Sequence, residues 1–399
     1  MYSQHPHMVT LDMADCALVD NDVPRLSDAI GTCTVLRSLS LATNSITHES
    51  MEDLTIAIEA SVSLNSIDLG ENALGVRGAT ILARNLIEKT KLMGLDLSSN
   101  LIRDEGCRAV LDALQQTPGQ PIQWLSLSEN CISDHSAADL ASLIDTAKNL
   151  TFLDLSRNAF FSNGMRVIAE ELGLNNTLQH LNLSNISLDA EAVELLGASL
   201  ARNRGLISLD MYGCRIGDVG ARVIGASLTQ NTYLRRLDLG SNKIGSSGCS
   251  FLADGLMVNT VLHVLRLWGN TLGLACDRLL SALYTNDTLI QIDLTGCSTD
   301  VDTVAMIGAL VKKNRLAENG RSSGSSEIRK LRKALAKEQL KTDLLTKKAK
   351  SYKKKHAKLL VDSEKNTFGG AQETGYDSAL SMDSDGGRPK GGGGGGGDM

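Results

Sequence analysis

Aromatic residues make up only 3% of this 399-residue chain, and prolines number five. So little ring area excludes a core built on aromatics, and so few prolines leave many regular elements uninterrupted. No apolar run is long enough to span a bilayer, and no N-terminal apolar stretch resembles a signal peptide. The eight cysteines are scattered without a C-x-x-C pair. That spacing argues against zinc and disulfide frameworks and predicts reduced core thiols in a cytoplasmic chain, with the nucleus left open. Catalytic signatures are missing too: there is no P-loop, no G-x-S-x-G and no H-E-x-x-H. The seven histidines, at positions 5, 7, 48, 135, 180, 263 and 356, are too dispersed to nominate a base. No catalytic residue, cofactor or metal ligand is therefore assigned, and the expectation is a chain that is not an enzyme.

What the chain has in abundance is one repeated phrase, L-x-x-L-x-L-x-x-N. Clear copies begin at Leu36, Leu64, Leu92, Leu150, Leu178, Leu206, Leu234 and Leu262, and weaker ones at Met8, Ile122 and Leu289. Eight of the ten intervals are 28 residues, one is 30 and one is 27. A fixed period of this length defines a solenoid of stacked units. The alternating x-L-x-L-x core reads as a short strand with leucines turned inward. The following stretch, residues 78–86 or 220–228, has apolar residues three and four apart and reads as a full helix. Helices are wider than strands, so stacking bends the array into an α/β horseshoe of eleven strand–helix repeats, its parallel sheet on the concave side.

Asn44, Asn72, Asn100, Asn130, Asn158, Asn242 and Asn270 stand where the chain leaves each strand, and Cys16, Cys214 and Cys297 share that phase. An amide there can satisfy backbone groups of its own turn and of its neighbour, with a thiol as a weaker substitute. Ile186, after Asn185, breaks the series. A 28-residue unit with a long helix and Asn or Cys at the turn resembles the ribonuclease-inhibitor-like class of leucine-rich repeats. That class includes ribonuclease inhibitor, the Ran GTPase-activating protein, innate-immune sensors and several cytoskeletal and ciliary proteins. The resemblance covers roughly residues 8 to 316 and implies the fold, while its members bind unrelated partners.

The C-terminal region has a different composition. The expected organisation is a solenoid over residues 1–317, a linker at 318–326, a basic helix at 327–365 and a disordered Gly/Ser/Asp-rich tail at 366–399. The heptad of the basic helix meets polar Glu338 and Thr342, so its coiled-coil tendency is weak. Residues 327–365 hold 14 Lys/Arg and 5 Asp/Glu, a net of +9, against −3 for residues 366–399; the total of −6 leaves −12 for residues 1–326. A segment this basic suits an acidic partner such as a microtubule surface, an acidic protein or an acidic lipid. Nucleic acid is not the favoured partner.

Outward-facing strand positions give the concave surface. The middle column holds seven aspartates, among them Asp154, Asp210 and Asp238, with Arg266 near one end. Neighbouring strands lie ~4.8 Å apart, so mutual repulsion is expected to raise their pKa values. The preceding column carries Trp124, Phe152 and His180 on consecutive repeats, and the following one Tyr212 and Trp268. Rings are the usual anchors of protein interfaces. These nine residues, spread over repeats five to ten, form the expected protein-binding site. The function read from the sequence is a scaffold or adaptor, with the basic helix as a second attachment to a cytoskeletal or ciliary assembly. The alternative is a GTPase activator resembling the Ran activator, whose arginine and asparagine are only loosely matched by Arg77, Arg103 and Asn130.

Overall fold

The computed structural model describes residues 8–273 and 276–320. Every described residue lies in one compact unit. Eleven three-residue strands run in chain order through one parallel sheet: β1 (Thr10–Asp12), β2 (Ser38–Ser40), β3 (Ser66–Asp68), β4 (Gly94–Asp96), β5 (Trp124–Ser126), β6 (Phe152–Asp154), β7 (His180–Asn182), β8 (Ser208–Asp210), β9 (Arg236–Asp238), β10 (Val264–Arg266) and β11 (Gln291–Asp293). Each pairs in register with the next, so equivalent repeat positions stand side by side. A helix follows every strand, from α1 (Val23–Gly31) to α11 (Val301–Gly320). The result is the expected leucine-rich repeat horseshoe.

The phrase itself dictates this arrangement. Leu150, Leu153 and Leu155 of one repeat are buried, as are their counterparts along the sheet. In α3 (Gly75–Leu86), Ala79, Leu82, Ala83 and Leu86 fall on one helical stripe, and all are buried against the sheet's leucines. The helices begin earlier than the periodicity suggests: α3 starts at Gly75 and α8 (Gly217–Leu228) at Gly217.

The turn asparagines form a ladder, interrupted at Ile186. Asn130 is fully buried; its Oδ1 accepts the N–H groups of Asn100 (3.0 Å) and Ile102 (3.3 Å), and its Nδ2 donates to the carbonyls of Leu97 (2.8 Å) and Ser128 (3.0 Å). Cys214 fills the same position with its Sγ 3.1 Å from the Leu183 carbonyl, and burial pushes the thiol up to about 12. Cys16 occupies that phase but is exposed. At the break, Ile186 is buried and Asn185 adopts a left-handed backbone (φ 58°).

A second ladder lies where the helices end. Asn203 donates to the carbonyls of Leu172 (2.6 Å) and Asn175 (3.0 Å) and accepts from the N–H groups of Gly205 and Leu206. Asn231, Asn259 and Asn286 repeat this pattern. In the early repeats the same position is held by Ser61, Lys89 and Thr117. Lys89 is almost fully buried, donating to the carbonyls of Glu59 (2.8 Å) and Ser61 (3.3 Å), and burial lowers its pKa. Asn314 continues the ladder from inside α11, which runs on past it.

That extension corrects one sequence expectation. The linker placed from Glu318 does not begin there, because residues 318–320 still belong to α11. No proline interrupts the helix, and Glu318 is tied down: its Oε1 lies 3.2 Å from His263 Nε2 on the preceding repeat. The basic helix expected at 327–365 and the tail at 366–399 lie outside the described residues.

Candidate protein-binding face

Register places the nine expected site residues on one sheet face in three adjacent columns. In the first, Trp124, Phe152 and His180 stand on β5, β6 and β7 in direct register. Trp124 and Phe152 stack with centroids 5.8 Å apart at 29°, and Phe152 and His180 are tilted at 6.3 Å. Trp124 also lies against Gly94: a Cβ there would sit 3.4 Å from its Cε3. Burial, then repulsion from Arg236, lowers the pKa of His180, so its ring is neutral at pH 7 and suits this apolar stack.

Tyr212 and Trp268 stand two strands apart, about 9.6 Å on an ideal sheet. Their centroids are nevertheless 4.8 Å apart at 16°. Gly240, in the turn just after β9 in the repeat between them, makes this possible. A Cβ there would lie 2.5 Å from Trp268 Nε1 and 2.7 Å from its Cε2, so any other residue would push the indole away. All five rings are half-buried.

The aspartate column does more scaffold work than its charge suggests. One oxygen of each of the seven, Asp12, Asp68, Asp96, Asp154, Asp210, Asp238 and Asp293, accepts the backbone N–H two residues on, at 2.8–3.1 Å. Such a bond mimics a backbone turn and steers the chain out of the strand. Second oxygens take neighbours: Asp154 from Asn182 Nδ2 (2.8 Å) and Asp238 from Arg266 Nη1 (3.2 Å). Asp96 and Asp238 are held above the usual carboxylate range. Their leading cause is burial, with repulsion from Asp68 and Asp210 behind it, which corrects the expectation that repulsion dominates.

One cluster has the composition of a catalytic triad. Ser133 Oγ lies 2.9 Å from His135 Nδ1, and Asp104 is nearby. The connectivity is wrong for activating a nucleophile, because Asp104 accepts from Ser133 Oγ (2.7 Å) and Ser136 Oγ (2.7 Å) rather than orienting the imidazole. Asp20 makes the same bonds to Thr47 Oγ1 (2.7 Å) and Ser50 Oγ (2.6 Å) three repeats earlier. The cluster is a repeated helix-start brace. Of the residues loosely matched to a GTPase activator, Arg77 is exposed on α3, Arg103 opens α4 (Arg103–Gln116), and Asn130 is sealed in the turn ladder. Among the described residues no group of three or more His, Cys, Asp or Glu is placed to hold a metal ion, and no helix is long and apolar enough to cross a membrane.

Repeats of this geometry are leucine-rich repeats, and this chain is built of them; its unit length and its Asn-or-Cys turn are consistent with the ribonuclease-inhibitor-like class. A profile of the MHP1/HER1/GIP3 LRR domain matches residues 22–214, and a leucine-rich repeat profile matches residues 230–253. The chain is 32% identical over 106 residues to Protein CARMIL of Dictyostelium discoideum, covering 26% of this chain and 10% of that one. It is 28% identical over 144 residues to human Leucine-rich repeat-containing protein 73, covering 35% of this chain and 45% of that one. With RAN GTPase-activating protein 2 of Arabidopsis thaliana it shares 30% identity over 114 residues, 28% of this chain and 20% of the other. The chain thus spans less than half the length of each relative.

Proposed function

We propose that this chain is a non-enzymatic scaffold or adaptor that holds a protein partner on the concave face of its solenoid. The observation that carries this reading is the placement of both tryptophans, half-buried and stacked on neighbouring rings, in a chain otherwise poor in aromatics. Rings already held by their neighbours lose little freedom on binding, which is what makes an anchor effective. The basic segment 327–365 supplies a second attachment, to an acidic partner in a cytoskeletal or ciliary assembly.

Proximity labelling in cells tests both halves. Trp124→Ala with Trp268→Ala should leave the melting temperature nearly unchanged, because the rings lie on the face and not in the core. The same pair should remove one set of labelled neighbours, at about 2 kcal/mol per anchoring ring. A chain ending at Gly320 should lose a different set. Identical neighbours for all three proteins would refute the reading.

GTPase activation is the second reading, favoured by the stretch of identity to the Arabidopsis activator. The burial of Asn130, with both ends of its amide committed to backbone, supports the non-enzymatic one. Single-turnover GTP hydrolysis by Ran, with and without this chain, separates them. The adaptor reading expects no acceleration.

A further inference from the structure

We propose that the β8–β10 end of the concave face is an anchor for an acidic residue of the partner, one that stands next to an apolar or aromatic residue. This deepens the scaffold reading and rests on it. On these three strands the columns form a small lattice in which Arg236 and Arg266 flank Asp238 while Tyr212 and Trp268 close over Gly240. Arg235, at the entry to β9, is exposed beside them.

Of the acidic members of this lattice, Asp238 is engaged through both oxygens and Asp210 through one. Asp210 Oδ1 accepts from Tyr212 N (3.0 Å) and Ser184 Oγ (2.8 Å). Asp238 holds Gly240 N (2.9 Å) with one oxygen and Arg266 (3.2 Å) with the other. Arg235 and Arg236 are exposed and form no ion pair among the described residues, and strand alternation sets Arg236 on the same face as Asp238. An arginine fork matches a carboxylate with two parallel hydrogen bonds, and the flat outer faces of the Tyr212–Trp268 stack offer apolar area beside it.

The rest of the groove limits what can carry that carboxylate. Asp154 on β6, Asp96 on β4 and Asp68 on β3 continue the column away from the arginines. A polyanion laid along the sheet would meet favourable charge at the arginines and repulsion at Asp154, Asp96 and Asp68. One or two acidic residues in a peptide segment escape that repulsion. The occupant is therefore a protein segment rather than a nucleic acid.

The test uses the full chain and an array of short synthetic peptides that vary acidic, basic, apolar and aromatic residues independently. Captured sequences should be enriched in Asp or Glu adjacent to Leu, Phe, Tyr or Trp. For one such peptide in solution, Arg235→Gln with Arg236→Gln should weaken binding about tenfold or more while leaving the melting curve in place, since neither side chain holds a structural partner. Changing the peptide's acid to its amide should cost a similar factor, and the two changes together should cost little more than either alone.

Capture of peptides without acidic enrichment, still sensitive to Trp268→Ala, would overturn the anchor and leave the protein-binding face standing. Capture of no peptide would remove both. Tighter binding of a single-stranded oligodeoxythymidine than of any peptide would overturn the proposal in favour of nucleic acid.

Discussion

Replacing Leu153 by aspartate should destroy the cooperative melting of the central repeats. Leu153 is fully buried at the centre of β6, with Leu125 of β5 and Leu181 of β7 in register on either side. Truncating a leucine at such a site costs about 2–5 kcal/mol in lost burial and cavity. A carboxylate adds the cost of desolvating a charge with no partner or of protonating it, so the total should exceed about 5 kcal/mol. In a stack each unit is held by the interfaces with its neighbours, and disruption at the sixth repeat removes support from the fifth and seventh. The expected result is early loss of helical circular dichroism together with new protease cleavage between β5 and β7. Leu153→Ile, which keeps the volume, is the control and should cost less than about 1.5 kcal/mol. An aspartate variant that melts like the parent would refute the solenoid packing.

Much of this architecture is legible in the sequence because its determinants recur. Strand leucines, turn asparagines and the order of the outward columns all follow from a period of 28 residues and a side-chain alternation of two. The structure puts Trp124, Phe152 and His180 in one column as that alternation requires. The stacking of Tyr212 on Trp268 was not legible, because their positions imply a separation of two strands. It depends on the missing side chain at Gly240, a negative feature that patterning does not weigh. The aspartate column reads in the sequence as charge and as the scaffold habit of L-x-L-D-L-S; the bond to the N–H two residues on, which depends on the local twist of the chain, is what the pattern does not give. A signal for the second ladder was present: Asn175, Asn203, Asn231, Asn259, Asn286 and Asn314 recur at the repeat period. All but Asn314 stand in connections, where asparagine reads as ordinary loop composition and its period is easily passed over.

Asn130→Leu should destabilise the fold by about 3–5 kcal/mol, although it adds apolar bulk to a buried site. The side chain is nearly isosteric, so packing is not the issue. The amide is the partner of four backbone groups: two buried N–H donors, of Asn100 and Ile102, and two carbonyls, of Leu97 and Ser128. Leucine leaves all four without it, and water cannot enter a position with no exposure. Each buried donor without a partner costs about 1–3 kcal/mol, which sets the range. Asn130→Cys separates donor from acceptor loss. The thiol of Cys214 shows that sulfur at this position can serve a carbonyl of the preceding repeat, at 3.1 Å from that of Leu183. A cysteine at 130 would restore one donor and offer only a weak acceptor to Asn100 and Ile102, so its cost should fall between those of the parent and Leu. Urea unfolding of the three proteins, followed by circular dichroism, should give the order Asn, Cys, Leu in falling midpoint. Equal midpoints would mean that the ladder does not hold the repeats together, and would return Asn130 to consideration as an amide kept for chemistry.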